Sequence, residues 1–250
     1  MNNRILEMNS EDDLSQLDPD KFDPEEYTPE AIDHIFGICG ALWVRPDNPK
    51  EPHKEPHVEI SSGLCSDGYV NLRRVLRHTN LCEIMARLMI LEFRRHLPGL
   101  SCGAKQRIHW VIGSDHTAAT LSFCVARLLG AKHEFTEKGP NKTQLWRRGI
   151  IRQDEVVLQV EDLIATGDTV RAVRLGLRQG NRCPINFFPA VLTLAHRSEE
   201  RLIDRIYPIL SLRHYAMQMW PRYKCPLHTK GSVAIHEPQF NWGKLTGNYS

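Results

Sequence analysis

The sequence lacks any apolar run long enough to cross a bilayer. Among its 250 residues, no stretch approaches the roughly 20 consecutive apolar residues that a membrane-spanning helix needs. The first residues, 1–13, are polar and acidic, whereas a secretory leader is basic and then apolar. We therefore expect a protein that is neither secreted nor inserted in a membrane, and that is cytoplasmic.

Two common phosphate-binding motifs are also missing. No glycine-rich loop is followed by Lys-Ser or Lys-Thr, and no Gly-x-Gly-x-x-Gly follows a predicted strand. The first motif is typical of P-loop nucleotide-binding proteins and the second of dinucleotide-dependent enzymes. Their absence counts against kinases and dehydrogenases.

Neither charge nor cysteine content indicates a specialised class of protein. The formal net charge is +2 at pH 7, so neither nucleic acid nor an anionic membrane is predicted as a partner. The seven cysteines are odd in number and have no repeated short spacing. This pattern favours reduced thiols over a disulfide framework.

Composition divides the chain into an acidic start and one larger domain. Residues 1–30 carry ten acidic side chains against two basic ones, which predicts a mobile acidic arm. Residues 31–250 are predicted to form the folded domain. Within it, the proline-rich stretch 45–57 is predicted to be an exposed loop, and Pro56 removes the helix that His53 and His57 would need to act as a metal pair.

Short apolar runs alternate with helical patterns along the rest of the chain. Such alternation predicts β-α units around a largely parallel sheet. Helices are predicted from Pro29, capped by Thr28, and at 81–96, 117–129 and 168–179, and strands at 108–112, 156–160 and 190–195.

Residues 156–169 carry the clearest chemical signal. A buried strand is predicted to end in Glu161 and Asp162, and carboxylates at that end of a parallel strand accept hydrogen bonds from vicinal hydroxyls such as those of ribose. The following turn contains a glycine and leads into a helix, whose free N–H groups and dipole favour phosphate. Either half alone would be a solvated strand end or a helix cap, but together they predict a sugar-phosphate site. The predicted phosphate-binding residues are Ala165, Thr166, Gly167, Asp168 and Thr169.

In this order the segment closely resembles the diphosphate-sugar signature of type I phosphoribosyltransferases, with Gln159 where the family prefers an apolar residue. Over roughly residues 35–235 the chain resembles orotate phosphoribosyltransferase. The resemblance implies an α/β fold in which helices flank a parallel sheet. It also implies a core at about 80–200 and a small hood formed by the N- and C-terminal segments.

The same resemblance implies roles for residues outside the signature. Residues 61–71 are similar to an early Ser-Gly-x-x-Ser segment in which Tyr69 would help line the base pocket, although an ordinary hairpin has the same pattern. Residues 137–149 resemble a mobile loop that closes over diphosphate, with Lys138, Lys142 and Arg148 as its cations; a basic surface loop is the alternative. Arg197 would offer its planar donors to the carboxylate of orotate.

The implied reaction displaces diphosphate from 5-phosphoribosyl 1-diphosphate by a ring nitrogen of a nucleobase. This would make the protein a pentosyltransferase of pyrimidine nucleotide biosynthesis, with Lys138, Lys142 and Asp162 as its catalytic residues. The cofactor would be Mg²⁺, bound chiefly by the substrate and not by a protein metal site. The family usually forms dimers, so a homodimer is expected.

Residues 112–118 depart from the family pattern. Thr117 and Ala118 stand where the diphosphate loop usually has two glycines, and Asp115 adds a negative charge there. Two alternatives therefore stay open: a phosphoribosyltransferase for purines or other bases, and a non-catalytic protein that binds or senses the diphosphate sugar. The sequence does not fix the base.

Residues 225–228 form a second unusual motif. Cys225-Pro226-Leu227-His228 resembles a Cys-Pro-Leu-Cys segment of longer orotate enzymes. No second pair of zinc ligands is evident in the sequence, and a zinc site needs one. A structural role or a chance spacing is therefore predicted, and no metal site.

Overall fold

The computed structural model describes residues 3–46, 55–60, 63–99 and 107–247. The chain divides into two compact units. Unit 1 comprises residues 1–14, 26–75 and 216–250, and unit 2 comprises residues 15–25 and 76–215. Most of the proline-rich stretch, including His53, lies outside the described residues, as do Ser61 and Ser62.

The described residues form fourteen strands, eight α-helices and six 3-10 turns. The strands are β1 (Leu42–Val44), β2 (His57–Glu59), β3 (Leu64–Ser66), β4 (Gly68–Val70), β5 (Trp110–Gly113), β6 (Lys132–Phe135), β7 (Glu137–Lys138), β8 (Gln144–Leu145), β9 (Val156–Ile164), β10 (Asn186–His196), β11 (Leu202–Ile203), β12 (Tyr207–His214), β13 (Met219–Pro221) and β14 (Ala234–His236). The α-helices are α1 (Glu11–Ser15), α2 (Pro29–Ile38), α3 (Arg73–Leu76), α4 (Thr79–His96), α5 (Thr117–Leu129), α6 (Asp168–Gly180), α7 (Pro226–Thr229) and α8 (Trp242–Thr246). Single 3-10 turns occur at Arg4–Glu7, Pro19–Lys21, Pro24–Glu26, Leu97–Gly99, Pro140–Lys142 and Arg222–Lys224.

Unit 2 is built on a six-stranded sheet in the order β11-β12-β10-β9-β5-β6. Its strands are parallel except for β11, which pairs antiparallel with β12 at one edge. From β5 the chain moves outward to β6, and it then returns to build β9, β10 and β12 on the other side. The strand order therefore reverses between β5 and β9, and ligands of open α/β sheets bind at such a reversal.

The helices and strands of unit 2 confirm the predicted β-α alternation. α5 ends at Gly130, whose φ of 62° is left-handed, as a glycine after a helix allows. α6 buries Val170, Val173 and Leu177, which lie on one helical face. Among the described residues, no helix is both long and apolar enough to cross a membrane.

Unit 1 contains a four-stranded sheet in the order β13-β3-β2-β14 and a separate pair formed by β1 and β4. α2 begins where predicted: Pro29 takes its first position, and the Thr28 hydroxyl accepts a 3.2 Å hydrogen bond from the Ala31 N–H. This cap satisfies one of the N–H groups that a helix start leaves open.

Residues 3–30, which belong to the predicted mobile acidic arm, make packing contacts in the structure. Ile5 and Leu14 are fully buried, and the carbonyl of Leu17 accepts a 2.9 Å hydrogen bond from Asn80 Nδ2. The described part of this segment is therefore packed, whereas the mobility expected of an acidic arm stays a prediction. The prediction rested on the excess of acidic side chains. It did not consider the few apolar side chains, which are spaced so that short helical turns bury them.

Candidate active site

A cavity of about 320 Å³ lies in unit 2 at the carboxyl ends of β5 and β9. Those strand ends flank the point where the strand order reverses, which is where such folds place ligands. Four carboxylates and two lysines line the cavity, together with polar and apolar neighbours: Ser114, Asp115, Lys138, Lys142, Gln144, Glu161, Asp162, Leu163, Asp168 and Thr169.

The acidic pair lies inside a strand and not at its end. β9 continues to Ile164, because its pairing with β10 extends as far as His196. On the other side the pairing with β5 stops at Gly113 and Val160. Glu161 is therefore the first residue of β9 beyond the end of its neighbour, which opens the space that the cavity occupies.

Glu161 is buried and held by two neutral donors. Its side chain accepts hydrogen bonds from Ser114 Oγ at 2.6 Å and from Gln159 Nε2 at 2.9 Å. Removal from water raises the pKa of Glu161 to about 8, although both hydrogen bonds act to lower it, because burial penalises the charged form. Near neutral pH this carboxyl is therefore largely protonated.

Gln159, the departure from the family pattern, connects Glu161 to a buried cation. Arg174 Nε donates to Gln159 Oε1 at 3.1 Å, and the guanidinium lies 3.9 Å from the centre of the Tyr207 ring. Burial lowers the pKa of Arg174 to about 10. Arg174 was not predicted, although it occupies the apolar face of α6, where a basic residue is unusual.

The turn between β9 and α6 curls as predicted and encloses a second cavity of about 100 Å³, lined by residues 163–170. Gly167 precedes α6 with a φ of 77°, a conformation that favours glycine. Because this cap residue has no side chain, none of its atoms competes with an anion for the first N–H groups of the helix.

Side chains of the turn are bonded to one another. The Thr166 hydroxyl donates to Asp168 Oδ2 at 2.7 Å, and both residues line the second cavity. Arg171 donates to the carbonyl of Thr166 at 2.8 Å and to Asp204 at 2.6 Å. Asp168 places a carboxylate at the helix start, where the dipole favours negative charge.

Residues 137–149 form a short hairpin in which β7 pairs antiparallel with β8. Lys138 and Lys142 line the larger cavity. Arg148 is absent from the cavity lining in the described part of the chain and instead donates to Glu137 at 2.7 Å. Trp146 of this loop is buried among core residues. The loop is therefore fixed to unit 2 at its base.

The loop after β5 carries Asp115 into the cavity. Gln144 Nε2 donates to Asp115 Oδ1 at 3.2 Å, and Gln144 Oε1 accepts from Thr136 Oγ1 at 2.8 Å. His116 has a φ of 61°, which is strained for a residue with a side chain. Gln144 was not predicted, and only its position within the hairpin points to it.

Two predicted site residues, Arg197 and Tyr69, are not among the described residues that line the two cavities. Arg197 follows β10, and its backbone N–H donates to the Ile164 carbonyl at 3.0 Å. Tyr69 belongs to β4 of unit 1, where its ring centre is 6.4 Å from that of Trp242. Their roles in base recognition stay predictions.

Comparisons with known proteins identify relatives, although no family model matches the sequence. An orotate phosphoribosyltransferase from Caldicellulosiruptor bescii is 30% identical over 184 residues, which cover 74% of this chain and 88% of that protein. One from Acidithiobacillus ferrooxidans is 31% identical over 179 residues, covering 72% and 86%. The chain belongs to the orotate phosphoribosyltransferase family.

A solved structure of this family supports the same fold. Orotate phosphoribosyltransferase from Aeropyrum pernix matches with a TM-score of 0.51 and 16% identity, over 72% of this chain and 91% of that one. The predicted fold class, a type I phosphoribosyltransferase-like parallel sheet flanked by helices, is confirmed.

Proposed function

We propose that the protein transfers the 5-phosphoribosyl group of 5-phosphoribosyl 1-diphosphate to orotate and releases diphosphate. The proposal rests on family membership and on one observation. A single cavity at the strand-order reversal is lined by Glu161, Asp162, Thr169 at the start of α6, and two lysines. These groups match the ribose, the 5-phosphate and the diphosphate of one substrate.

The ribose would lie against the acidic pair. Asp162 and Glu161 offer carboxyl oxygens to its vicinal hydroxyls, which are donors. The 5-phosphate would occupy the smaller cavity of residues 163–170, where the N–H groups of the helix start and the flexible backbone at Gly167 suit a phosphate. This arrangement fixes the anomeric carbon relative to the remainder of the cavity.

Charge stabilisation would then supply most of the rate enhancement. As the bond to diphosphate breaks, the ribose ring gains oxocarbenium character and the leaving group gains negative charge. The carboxylate of Asp162 would stabilise the positive ring, and Lys138 and Lys142 would stabilise the departing diphosphate. No covalent intermediate is required, because the base attacks the anomeric carbon directly.

The charges of the cavity suit a divalent cation that arrives with the substrate. Besides the largely protonated Glu161, its lining contains three carboxylates and only two lysines, which alone would attract a highly anionic diphosphate sugar poorly. Carboxylate oxygens such as those of Asp115 and Asp162 are the ligands that Mg²⁺ prefers. Bound Mg²⁺ would neutralise diphosphate charge.

The remaining parts of the proposal rest on resemblance. Arg197 would bind the carboxylate of orotate, Tyr69 would line the base pocket, and Arg148 would join the cavity if its pair with Glu137 opened. A homodimer and a cytoplasmic location belong to the same proposal.

The decisive experiment measures product with different bases. Purified protein with the diphosphate sugar and Mg²⁺ should consume orotate and release diphosphate in equal amounts, and it should leave hypoxanthine and adenine unchanged. Product with a purine but not with orotate would instead support the purine-type alternative. Asp154→Asn is the matched control, because Asp154 forms an exposed ion pair with Arg152 outside the cavity. This variant should retain full activity.

One observation favours a second candidate, a protein that binds the diphosphate sugar without turnover. Asp115 and Asp168 both line the cavity, and each adds negative charge where diphosphate or phosphate would lie. Calorimetric titration with the diphosphate sugar and Mg²⁺ separates the candidates. Binding without product from any base would support the second candidate, and binding with orotate turnover supports the first.

A further inference from the structure

Four side chains that bind transition metals meet in unit 1. They are His57, Cys65, Cys225 and His228, and one nitrogen or sulfur atom from each lies within 4.8 Å of the others. Three of the four residues are buried, and His228 is partly buried. Their positions in the sequence are far apart, since β2 and β3 supply one pair and the start of α7 supplies the other.

The local structure aims these side chains at one another. Cys65 lies at the centre of β3, opposite Trp220 of β13 and Glu59 of β2. Cys225 precedes α7, and His228 follows one turn later on the same short helix, so the two project to one side. The cluster therefore joins a β-hairpin to a helical turn.

The separations fit a tetrahedral centre. Cys65 Sγ lies 3.5 Å from His228 Nδ1, and Cys225 Sγ lies 3.8 Å from His57 Nε2. A tetrahedral zinc ion holds sulfur at about 2.3 Å and nitrogen at about 2.0 Å, which places neighbouring ligand atoms about 3.3 to 3.8 Å apart. Two edges of such a tetrahedron are thus already present.

A hydrogen-bond chain orients His57 as a metal ligand. The Ser232 hydroxyl donates to the Glu55 carbonyl at 2.6 Å, which uses its only proton. Ser232 Oγ can then only accept from His57 Nδ1, 2.9 Å away. The neutral imidazole therefore carries its proton on Nδ1, and the lone pair of Nε2 points toward Cys225. Metal-binding histidines are commonly oriented by a second hydrogen bond of this kind.

From this geometry we propose that His57, Cys65, Cys225 and His228 bind one structural Zn²⁺ ion. Two thiolates and two neutral imidazoles around Zn²⁺ give a centre without net charge, which suits a buried position. Binding would release the two thiol protons to solvent. Four protein ligands leave no open position, so the ion would stabilise structure and take no part in the transfer reaction.

At this location the ion would stabilise the small sheet of unit 1. The apolar cluster of this small sheet contains Cys65, Cys225 and Leu227, with Trp220 packed against it. So small a core stabilises a sheet of three-residue strands weakly, and metals commonly supplement such cores. No zinc site was predicted from the sequence, because only Cys225 and His228 are neighbours in it, whereas the sheet brings the second pair to them.

The first test is the metal content of protein from zinc-supplemented cells, measured by mass spectrometry after dialysis. We expect about one zinc ion per chain, and its loss in Cys65→Ser and in Cys225→Ser. Cys183→Ser, which changes a cysteine of unit 2 outside the cluster, should keep the ion. Zinc-free wild-type protein, or full zinc content in Cys225→Ser, would overturn the proposal.

The second test does not depend on the folding of variants. Wild-type protein produced in cobalt-supplemented minimal medium should show the intense visible bands of tetrahedral Co²⁺ and a thiolate-to-cobalt charge-transfer band, saturating at one ion per chain. Weak bands typical of octahedral Co²⁺ without charge transfer would exclude the mixed sulfur and nitrogen centre. Activity is not the measured quantity, so this outcome is independent of the proposed transfer reaction.

Discussion

Ser114 Oγ donates a 2.6 Å hydrogen bond to Glu161 Oε2. Ser114 directly follows β5 and Glu161 lies in β9, so this bond joins the two strand ends between which the strand order reverses. The Glu161 carboxyl accepts hydrogen bonds from Ser114 and Gln159, and both of these donors are uncharged. The charge of Glu161 therefore depends on pH and on what occupies the cavity.

The acidic pair is expected to be essential for binding. In the double variant Glu161→Gln and Asp162→Asn, the hydroxyls of ribose lose the charged acceptor of Asp162, worth about 1.5 to 3 kcal/mol, and the neutral carboxyl of Glu161. Calorimetry with the diphosphate sugar and Mg²⁺ should show binding weakened by about tenfold to hundredfold or more. The melting temperature should change little, because glutamine resembles the protonated carboxyl that burial favours.

A matched control carries the same two kinds of substitution elsewhere in unit 2. Glu92→Gln and Asp154→Asn alter carboxylates that form ion pairs with arginines outside the cavity. This double variant should bind like the wild type. Equal binding by the acidic-pair variant and the wild type would remove the ribose assignment.

The raised pKa of Glu161 predicts how stability changes with pH. Its value of about 8 in the folded chain exceeds the ordinary 4.5, so the folded state binds the proton more tightly than the unfolded state. The contribution is complete below pH 4.5 and is lost as pH rises toward and through 8, at most about 1.4 kcal/mol per pH unit. Urea unfolding between pH 6 and 9 should therefore show wild-type stability falling relative to Glu161→Gln. Parallel curves for the two proteins would contradict this assignment.

The two lysines of the hairpin should affect turnover more than folding. Lys138→Ala and Lys142→Ala each remove a cation from the departing diphosphate, and losses of about tenfold to hundredfold in kcat are expected. Steady-state kinetics with orotate measures this. Lys21→Ala, which changes an exposed lysine, is the control and should match the wild type. Unchanged kcat in both hairpin variants would show that these cations do not contact the leaving group.

Local patterns predicted the parts of the fold that depend on short-range rules. The start of α2, the span of α5 and the turn at Gly167 all follow from capping and glycine chemistry within a few residues. The extension of β9 to Ile164 did not follow, because it depends on pairing with β10. Periodicity within one strand contains no information about where its neighbour ends.

In the candidate site, too, residues that are close in the sequence were predicted and residues brought together by the fold were not. Glu161, Asp162 and the turn were found because they are contiguous in the sequence. Ser114 and Arg174 were not predicted, because their hydrogen bonds to Glu161 and to its donor Gln159 join distant segments. Gln144 was not predicted for the same reason, since its bond to Asp115 also joins distant segments. The zinc ligands were missed for the same reason: a sheet, and not a short spacing, brings the two pairs together.

Close packing of the hairpin on α6 predicts opposite effects for two Gly→Ala substitutions. A methyl group at Gly176 would collide with the backbone carbonyl of Gln144, whereas one at Gly37 of α2 would meet nothing within 4 Å. Gly176→Ala should destabilise the protein by about 1 to 3 kcal/mol. Gly37→Ala should be neutral or stabilise it by up to about 1 kcal/mol, since alanine favours helix.

Chemical unfolding of both variants measures these effects, and calorimetric titration with the diphosphate sugar adds a second measurement. Because Gln144 also lines the cavity, displacement of its backbone should weaken binding of the diphosphate sugar in Gly176→Ala only. If Gly176→Ala were as stable as Gly37→Ala, the hairpin would not be packed against α6 in solution.

The strained backbone of His116 predicts that glycine is preferred to alanine at this position. Its φ of 61° and ψ of −120° lie where residues with a side chain are rare, and such strain costs of order 1 to 3 kcal/mol. His116→Gly should therefore be more stable than His116→Ala by about 1 kcal/mol or more, the reverse of the usual order. Both variants lose the 3.2 Å contact with Asp115, so the comparison isolates the backbone. A more stable alanine variant would mean that this loop relaxes in solution, and the position of Asp115 in the cavity would then no longer be fixed by its neighbour.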